Sequence, residues 1–454
     1  MNLYCYNKLS VLKHYQVTGK TASSISESLE GLVRSGELAA GDLLPPIRRL
    51  AVELAVSAGT VASAYRLLGN RGLTVSDRRR GTRARPLRAD DPAPSRGTFD
   101  LPPGVVDCST GAPDAVLLPD PLAILARVVY APATYGTAPV DPGLAAIARR
   151  RISNDGVSAD DVVCTFGALD GIGRVLASNL SPGDRVAVED PGWAAVVDQV
   201  ERMGLVTVPV EVDQEGPLPE AMWQALAGGC RAAVVTSRAQ NPTGAAITAS
   251  RAADLRAVLA RYPGCLVVED DHACGLVEAP LHPVVNDVGR YAFVRSVSKG
   301  YGPDLRFAVV TGDRATVARL EATLATGASW VSYLVQQIVL AMWEDEGVDR
   351  LLARASAVYR DRRQALCTAL RAEGVQVVAP TGLNVWIPVG NETITVASLL
   401  ASGWLVAPGS RFRLASPPAI RVTTAGLAVE QAQSLAADIA AARRAAASRA
   451  GSGG

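Results

Sequence analysis

Lys299 stands in the run Ser296-Val297-Ser298-Lys299-Gly300-Tyr301-Gly302-Pro303-Asp304-Leu305-Arg306. The chain has only three other lysines, Lys8, Lys13 and Lys20, and every other basic residue from Arg34 onward is arginine. Arginine supplies charge and ion pairs but keeps its proton, whereas lysine can shed one and attack a carbonyl as a free amine. Schiff-base formation with an aldehyde is the chemistry such a residue offers. Ser296 and Ser298 before it, and Arg306 seven residues after it, suit a phosphate through hydroxyl donors and a guanidinium fork. An amine, a phosphate cup and an aldehyde together point to pyridoxal 5′-phosphate (PLP). A surface lysine in a polar loop could share the S-x-S-K spacing, but it would not explain why lysine is absent from the rest of the chain beyond Lys20.

A frame must hold these groups. Apolar, β-branched runs recur at Arg185–Glu189, Leu205–Val212, Arg231–Thr236, Cys265–Glu269, Tyr291–Val297 and Phe307–Thr311. Helical stretches such as Trp193–Met203, Glu220–Ala227 and Arg251–Arg261 lie between them. The alternation reads as α/β, with a mostly parallel sheet covered on both faces. An open sheet of that kind binds ligands at the carboxyl ends of its strands. Three motifs fall there. Gly167-Ala168-Leu169-Asp170 opens a helix whose free N–H groups suit a phosphate. Asn241-Pro242-Thr243-Gly244 closes one strand and Glu269-Asp270-Asp271-His272 another, offering a ring-oxygen donor and a carboxylate that can keep a pyridine nitrogen protonated. From about residue 330, a long helix through Tyr359, Leu366 and Leu370, then strands near Val375 and Val385, read as a smaller second lobe. Val429–Ala447 reads as an Ala-rich helix, with a disordered Gly451–Gly454 after it.

Charge is unevenly spread. Residues 1–88 hold three lysines and eleven arginines against six acids, a net +8, so the remaining 366 residues sum to −7 within an overall +1. A basic front on a mildly acidic body suggests a nucleic-acid module joined to something else. The seven cysteines are scattered without a C-x-x-C pair, which argues against a disulfide framework or a zinc site. No apolar run reaches membrane-spanning length and no signal-peptide pattern opens the chain, so a cytoplasmic protein is expected.

In the basic front, Ile25, Leu29, Leu32 and Val33 share a helical face. A second short helix carries Ile47, Leu50, Ala51 and Leu54, and a third runs through Thr60–Leu68 with Ser57 as its N-cap. Gly72–Val75 reads as a strand, and Arg78, Arg79, Arg80, Gly81, Arg83 and Arg85 load a hairpin tip. Residues 1–20 carry no clear period. Residues 87–107 are rich in Pro and charge and read as a linker.

Residues 22–86 resemble the winged helix-turn-helix of the GntR family. The phrases that carry the resemblance are G-E-L-A-A-G-D-L-L-P-P-I-R-R-L-A, V-S-A-G-T-V-A-S-A-Y-R-L-L, and G-T in the wing. The resemblance implies double-stranded operator DNA as partner, contacted by Arg48, Ser57, Thr60 and the wing residues Arg78, Arg79, Arg80, Gly81 and Arg83. Ala58 and Ala62 stand where the family often has arginine, which shifts phosphate-directed affinity toward the wing.

Residues 108–445, with a small lobe from about 330, resemble fold-type I aminotransferases. The resemblance implies that Lys299 carries PLP, Asp270 pairs with the pyridinium nitrogen and Asn241 contacts the ring oxygen. Gly167, Ala168, Ser296, Ser298 and Arg306 would hold the phosphate. Tyr135, in Y-G-T-A-P-V-D-P-G, matches a tyrosine that reaches the phosphate of a neighbouring subunit, which implies a homodimer. Arg421, in A-I-R-V-T-T-A, matches an arginine that grips a ligand carboxylate. Trp193 falls near the cofactor in the family and reads equally as a core aromatic. His272 replaces the tyrosine that related regulators use as a donor to the ring oxygen. Which of Asp270 and Asp271 meets the ring stays open. The two halves together resemble the MocR/GabR-type transcription regulators, which implies a PLP-dependent sensor of an amine or amino acid. A working aminotransferase with a fused DNA-binding domain is the alternative.

Overall fold

The structure is a computed structural model that describes residues 17–34, 37–38, 42–70, 74–77, 81–84, 104–130 and 132–451. Expectations falling on residues 1–16, Arg78, Arg79, Arg80, Arg85, the greater part of the linker and residues 452–454 lie outside the described residues. The chain divides into two compact units, one before and one after about residue 100.

The first unit has three helices, α1 (Ala22–Arg34), α2 (Ile47–Glu53) and α3 (Ala58–Asn70), then a hairpin of β1 (Thr74–Asp77) and β2 (Gly81–Ala84). Ile25, Leu29, Leu50, Val61, Ala64 and Leu68 are at most 1% exposed and form its core. Burying each larger member contributes about 1.5–3 kcal/mol, which is how so small a module holds together. The turn before α3 is fixed locally: Ser57 Oγ accepts from Thr60 N at 3.0 Å, the N-cap expected of it. Tyr65 Oη on α3 donates to Pro45 O at 2.6 Å and so ties α3 to the entry of α2.

The second unit opens with β3 (Val106–Cys108), whose strand begins inside the stretch expected to be linker. Then follow α4 (Pro121–Leu125), α5 (Pro142–Asn154), β4 (Val163–Thr165), α6 (Ala168–Asn179), β5 (Arg185–Asp190), α7 (Ala194–Arg202), β6 (Val206–Asp213), β7 (Gly216–Pro217), α8 (Pro219–Ala227), β8 (Cys230–Thr236), α9 (Ala249–Leu259), β9 (Leu266–Asp271), β10 (Arg290–Ser296), β11 (Ala308–Gly312), α10 (Arg314–Ala325), α11 (Tyr333–Glu344) and α12 (Glu346–Ala372). The last elements are β12 (Asn384–Pro388), α13 (Glu392–Ala401), β13 (Trp404–Pro408), β14 (Ala419–Thr423) and α14 (Ala432–Gly451). Helix starts are marked by short acceptor side chains. Asp141 Oδ1 takes Leu144 N at 2.9 Å ahead of Pro142, and Asp313 Oδ1 takes Ala315 N and Thr316 N.

The large sheet runs β4-β11-β10-β9-β8-β5-β6-β7. Its centre is parallel through β5/β8, β8/β9 and β9/β10, while β10/β11 and β11/β4 are antiparallel. These relations put the carboxyl ends of β4, β5, β8, β9 and β10 on one edge. The small sheet runs β12-β14-β13-β3, so its edge strand comes from the start of the body.

Three details depart from the sequence reading. Val375 is buried but lies in irregular chain just after the Glu373–Gly374 turn, not in a strand. The change of lobe falls within α12, later than residue 330: Ile338, Trp343, Leu352 and Tyr359 pack in the large core, whereas Leu366 and Leu370 pack in the small one. Gly451 closes α14 and is helical, not disordered. Among the described residues, no helix is long and apolar enough to cross a membrane.

Candidate functional site

At the edge where β9 and β10 end, the side chains of the double aspartate part company, because successive strand residues face opposite sides of a sheet. Asp271 is fully buried and spoken for. It accepts from Arg238 Nε (3.0 Å) and Nη2 (2.9 Å) and from Arg295 Nε (3.1 Å). Arg295 also reaches Asp155 at 2.6 Å. Burial alone would raise the Asp271 carboxyl, but the Arg295 and Arg238 guanidiniums override it and hold the group below the usual carboxylate range. Asp270 is 2% exposed and has no cation of this kind against it. Its Oδ2 lies 3.2 Å from His272 Nδ1, and its Oδ1 is buried without a partner. A buried carboxylate oxygen left unpaired is costly unless a ligand completes it. Asp270, and not Asp271, is therefore the carboxylate with a free valence.

Lys299 follows β10 by three residues and is largely buried, with Nζ donating to Gly111 O at 2.5 Å. Burial, then the Arg421 guanidinium, push its amine down to about 8 against the opposing pull of Asp270. Arg421 lies mid-strand in β14 and is 4% exposed. It donates from Nη1 to Asn241 Oδ1 at 3.0 Å and from Nη2 to Ser109 O, lies over the Phe412 ring at 4.5 Å, and keeps a buried Nε without a partner. A guanidinium with one orphaned donor is suited to a carboxylate.

An anion cup stands beside them. Gly167 precedes α6 at φ +97° with no side chain capping the helix, so the first-turn N–H groups stay open. A Cβ at Gly167 would come within 3.2 Å of Arg306 Nη2, so glycine lets the guanidinium reach the helix end. Arg306 itself donates to Phe166 O at 3.2 Å. Ser296 Oγ and Ser298 Oγ lie 3.2 Å apart at the end of β10. The donor set fits PLP: an amine, an unpaired carboxylate oxygen for a protonated ring nitrogen, Asn241 in the turn beyond β8 and a phosphate cup.

His272 Nδ1 lies 3.2 Å from Asp270 Oδ2. Trp193 is half-buried at the start of α7. Tyr135 is 94% exposed with Trp330 edge-on to its ring, and so stands outside the buried cluster of its own chain. In the first unit, Arg48, Ser57 and Arg83 are exposed and Thr60 is half-buried; Ala58 is exposed and Ala62 is half-buried.

Sequence reasoning missed the Arg238–Asp271–Arg295 network and the Ser109–Gly111 segment. An arginine inside the apolar run of β10 was a readable signal of the first, since a charge in a buried strand demands a partner. The second had no signal, because its partners lie 188 and 312 residues away.

Residues 144–439 match the family described as Aminotransferase class I and II, and residues 21–83 match the Bacterial regulatory proteins, gntR family. The chain is 40% identical over 93% of its length, and 98% of the relative's, to the vitamin B6 salvage pathway transcriptional repressor PtsJ of Salmonella typhimurium. It is 30% identical to the pyridoxine biosynthesis transcriptional regulator PdxR of Corynebacterium glutamicum, over 58% of this chain and 59% of that one. Among solved structures, the alpha-aminoadipate aminotransferase LysN of Thermus thermophilus, complexed with N-(5'-phosphopyridoxyl)-L-leucine, superposes with a TM-score of 0.68 at 23% identity. That match covers 77% of this chain and 94% of the other, and it shows the fold.

Proposed function

Because the chain belongs to the MocR/GabR-type transcription regulators, in which a GntR-family DNA-binding domain precedes an aminotransferase-like, PLP-dependent body, we propose that PLP held on Lys299 is itself the signal that sets operator occupancy. The observation that carries this reading is the buried, unpaired Oδ1 of Asp270 beside a largely buried lysine whose amine is already eased toward neutrality. Asp270 then bonds the ring nitrogen, Asn241 the ring oxygen, and Gly167, Ala168, Ser296, Ser298 and Arg306 the phosphate. PLP supplies an aldehyde to the amine and an electron-withdrawing ring. The names of the two vitamin B6 regulators among the relatives support a cytoplasmic regulator of the same nutrient. Titrating PLP into the full chain while following operator binding by fluorescence anisotropy tests it. Operator affinity should change over the same PLP range in which the visible absorption band grows in. A band with unmoved affinity refutes the reading.

A second reading is favoured by one observation, the orphaned Nε of Arg421. A carboxylate seated there would make the effector an amino acid meeting PLP at Lys299. In that case PLP alone leaves operator affinity unchanged and an amino acid added to the loaded chain moves it. Steady keto-acid production at about 1 s⁻¹ or more would instead mark a working aminotransferase.

The DNA contact is proposed to run through Arg48, Ser57, Thr60 and the wing residues Arg78, Arg79, Arg80, Gly81 and Arg83. Each arginine withdrawn from a phosphate should lower the slope of log affinity against log salt by about 0.9. Arg79→Ala with Arg80→Ala should therefore flatten the slope by about 2 if both meet phosphates, and an unchanged slope excludes the wing. The active unit is proposed to be a homodimer. Exposed Val129, Tyr135, Val116 and Leu122, at 94%, 94%, 81% and 72%, give an apolar surface that pairing would cover. Sedimentation of the PLP-loaded chain as a monomer at micromolar concentration would rule it out.

A further inference from the structure

The stretch of body chain just after β3 is held by the two cations that the ligands need. Val106 N donates to Gly403 O, and β3 pairs in parallel with β13, as Val106 with Trp404 and Cys108 with Val406. Just beyond β3, Arg421 Nη2 donates to Ser109 O, Lys299 Nζ donates to Gly111 O, and Gly111 N donates to Thr423 Oγ1 at 2.9 Å. Gly111 is required at this point. Its φ is +68°, and a Cβ would sit 3.1 Å from Arg421 Nη1. Three residues later the chain is pinned to the body independently of the site, by Arg362 on the Asp114 carboxylate and by Tyr359 Oη, which accepts from Asp114 N. Residues 109–111 are thus a short strap between a strand on the linker side and a fixed anchor on the other.

We propose that this strap passes ligand occupancy from Lys299 and Arg421 to the chain that leads to the DNA-binding domain. The proposal rests on the reading that PLP joins Lys299. When the Lys299 amine condenses with an aldehyde, one water leaves and Nζ turns to the new bond. It can no longer serve the Gly111 carbonyl with the ammonium donor that holds it. A carboxylate on Arg421 competes in the same way for the donor now on Ser109 O. Each ligand therefore takes away one of the strap's charge-assisted bonds, and by linkage a state of the linker that pulls on the strap alters ligand affinity by the same factor.

Hydrogen–deuterium exchange on the full chain, with and without PLP, tests this. Losing one charge-assisted bond should speed amide exchange at residues 109–112 by about tenfold, while Val186–Val188 in β5 stay unchanged. Thr423→Val removes the Gly111 N acceptor and leaves Lys299, Asp270 and the phosphate cup alone. Without PLP it should show the fast exchange and an operator affinity shifted in the direction that PLP shifts the parent chain. A borohydride-trapped adduct with unchanged or slower exchange at 109–112 overturns the strap and leaves the PLP reading standing. Fast exchange in Thr423→Val with parent-like operator affinity overturns it too. If no adduct forms at all, the PLP reading fails and the strap with it.

Discussion

Lys299→Ala removes the borohydride-trapped PLP adduct completely while operator binding by the N-terminal unit stays measurable. Lys299 is the only lysine beyond Lys20, and its amine lies among the groups that fit the cofactor. Its environment also sets a rate. With the amine pushed down to about 8, roughly one Lys299 in ten is uncharged at pH 7, against about one in three thousand for an ordinary lysine. Burial lowers the value because a charged ammonium loses water there, and Arg421 adds repulsion. The sign follows directly. Attachment should speed up as pH rises and level off above about pH 8, where the amine is already neutral. Stopped-flow absorbance from pH 6 to 9 reads this. An undiminished adduct in Lys299→Ala, or a rate still climbing as steeply between pH 8 and 9 as below, would show that another amine does the work.

The neighbouring aspartates should fail in opposite ways. Asp271→Ala leaves Arg238 and Arg295 buried with their shared acceptor gone, and breaking such a buried pair costs about 3–5 kcal/mol. Asp155 still meets Arg295, which keeps the loss toward the lower end of that range. Asp270→Ala removes a carboxylate with one unpaired oxygen, so the fold should tolerate it. PLP affinity should instead fall by about tenfold to a hundredfold, the worth of a charge-assisted hydrogen bond. Urea unfolding of the body, fitted apart from the DNA-binding unit, separates the stability effects, and equilibrium absorbance gives the affinities. Acid adds a check. Since the folded Asp271 carboxyl is held low, its contribution is complete above its unfolded value near 4 and fades as pH falls through the folded one. The parent and Asp271→Ala chains should therefore converge in stability only in strong acid. If Asp270→Ala unfolds the body and Asp271→Ala merely weakens PLP, the assignment is reversed.

Much of this was legible because local pattern and local need coincide. The apolar runs that read as β5, β8, β9 and β10 had to be buried on both faces. The polar clusters after them therefore had to fall on one edge. Lys299 announced itself through the absence of lysine elsewhere. The choice between Asp270 and Asp271 was not readable, because it depends on which face receives Arg295 from β10 and Arg238 from the bend after β8. Strand β4, three residues long, offers no period to detect, and β3 was hidden in a Pro-rich stretch whose composition outweighed a short Val-Asp-Cys. His272 shows the limit in the other direction. Its place in the motif put it among the cofactor residues, but spacing gave no sign that a side chain two residues from Asp270 at a strand end folds back onto that carboxylate.

The pairing of β3 with β13 bears on how such two-part proteins can be recombined. A small sheet whose edge strand is drawn from the first residues of the body cannot be separated from its neighbour wherever the composition turns polar. Exchange of DNA-binding modules between relatives is compatible with crossover points before Gly104. A joint placed after Cys108 would strip the strand and leave the outer edge of β13 unpaired at Trp404–Val406, a template for sticking to other chains. The seam along which evolution can swap operators is therefore fixed by a hydrogen-bonded edge inside the body, and that edge begins before the polar, Pro-rich composition of the spacer has run out.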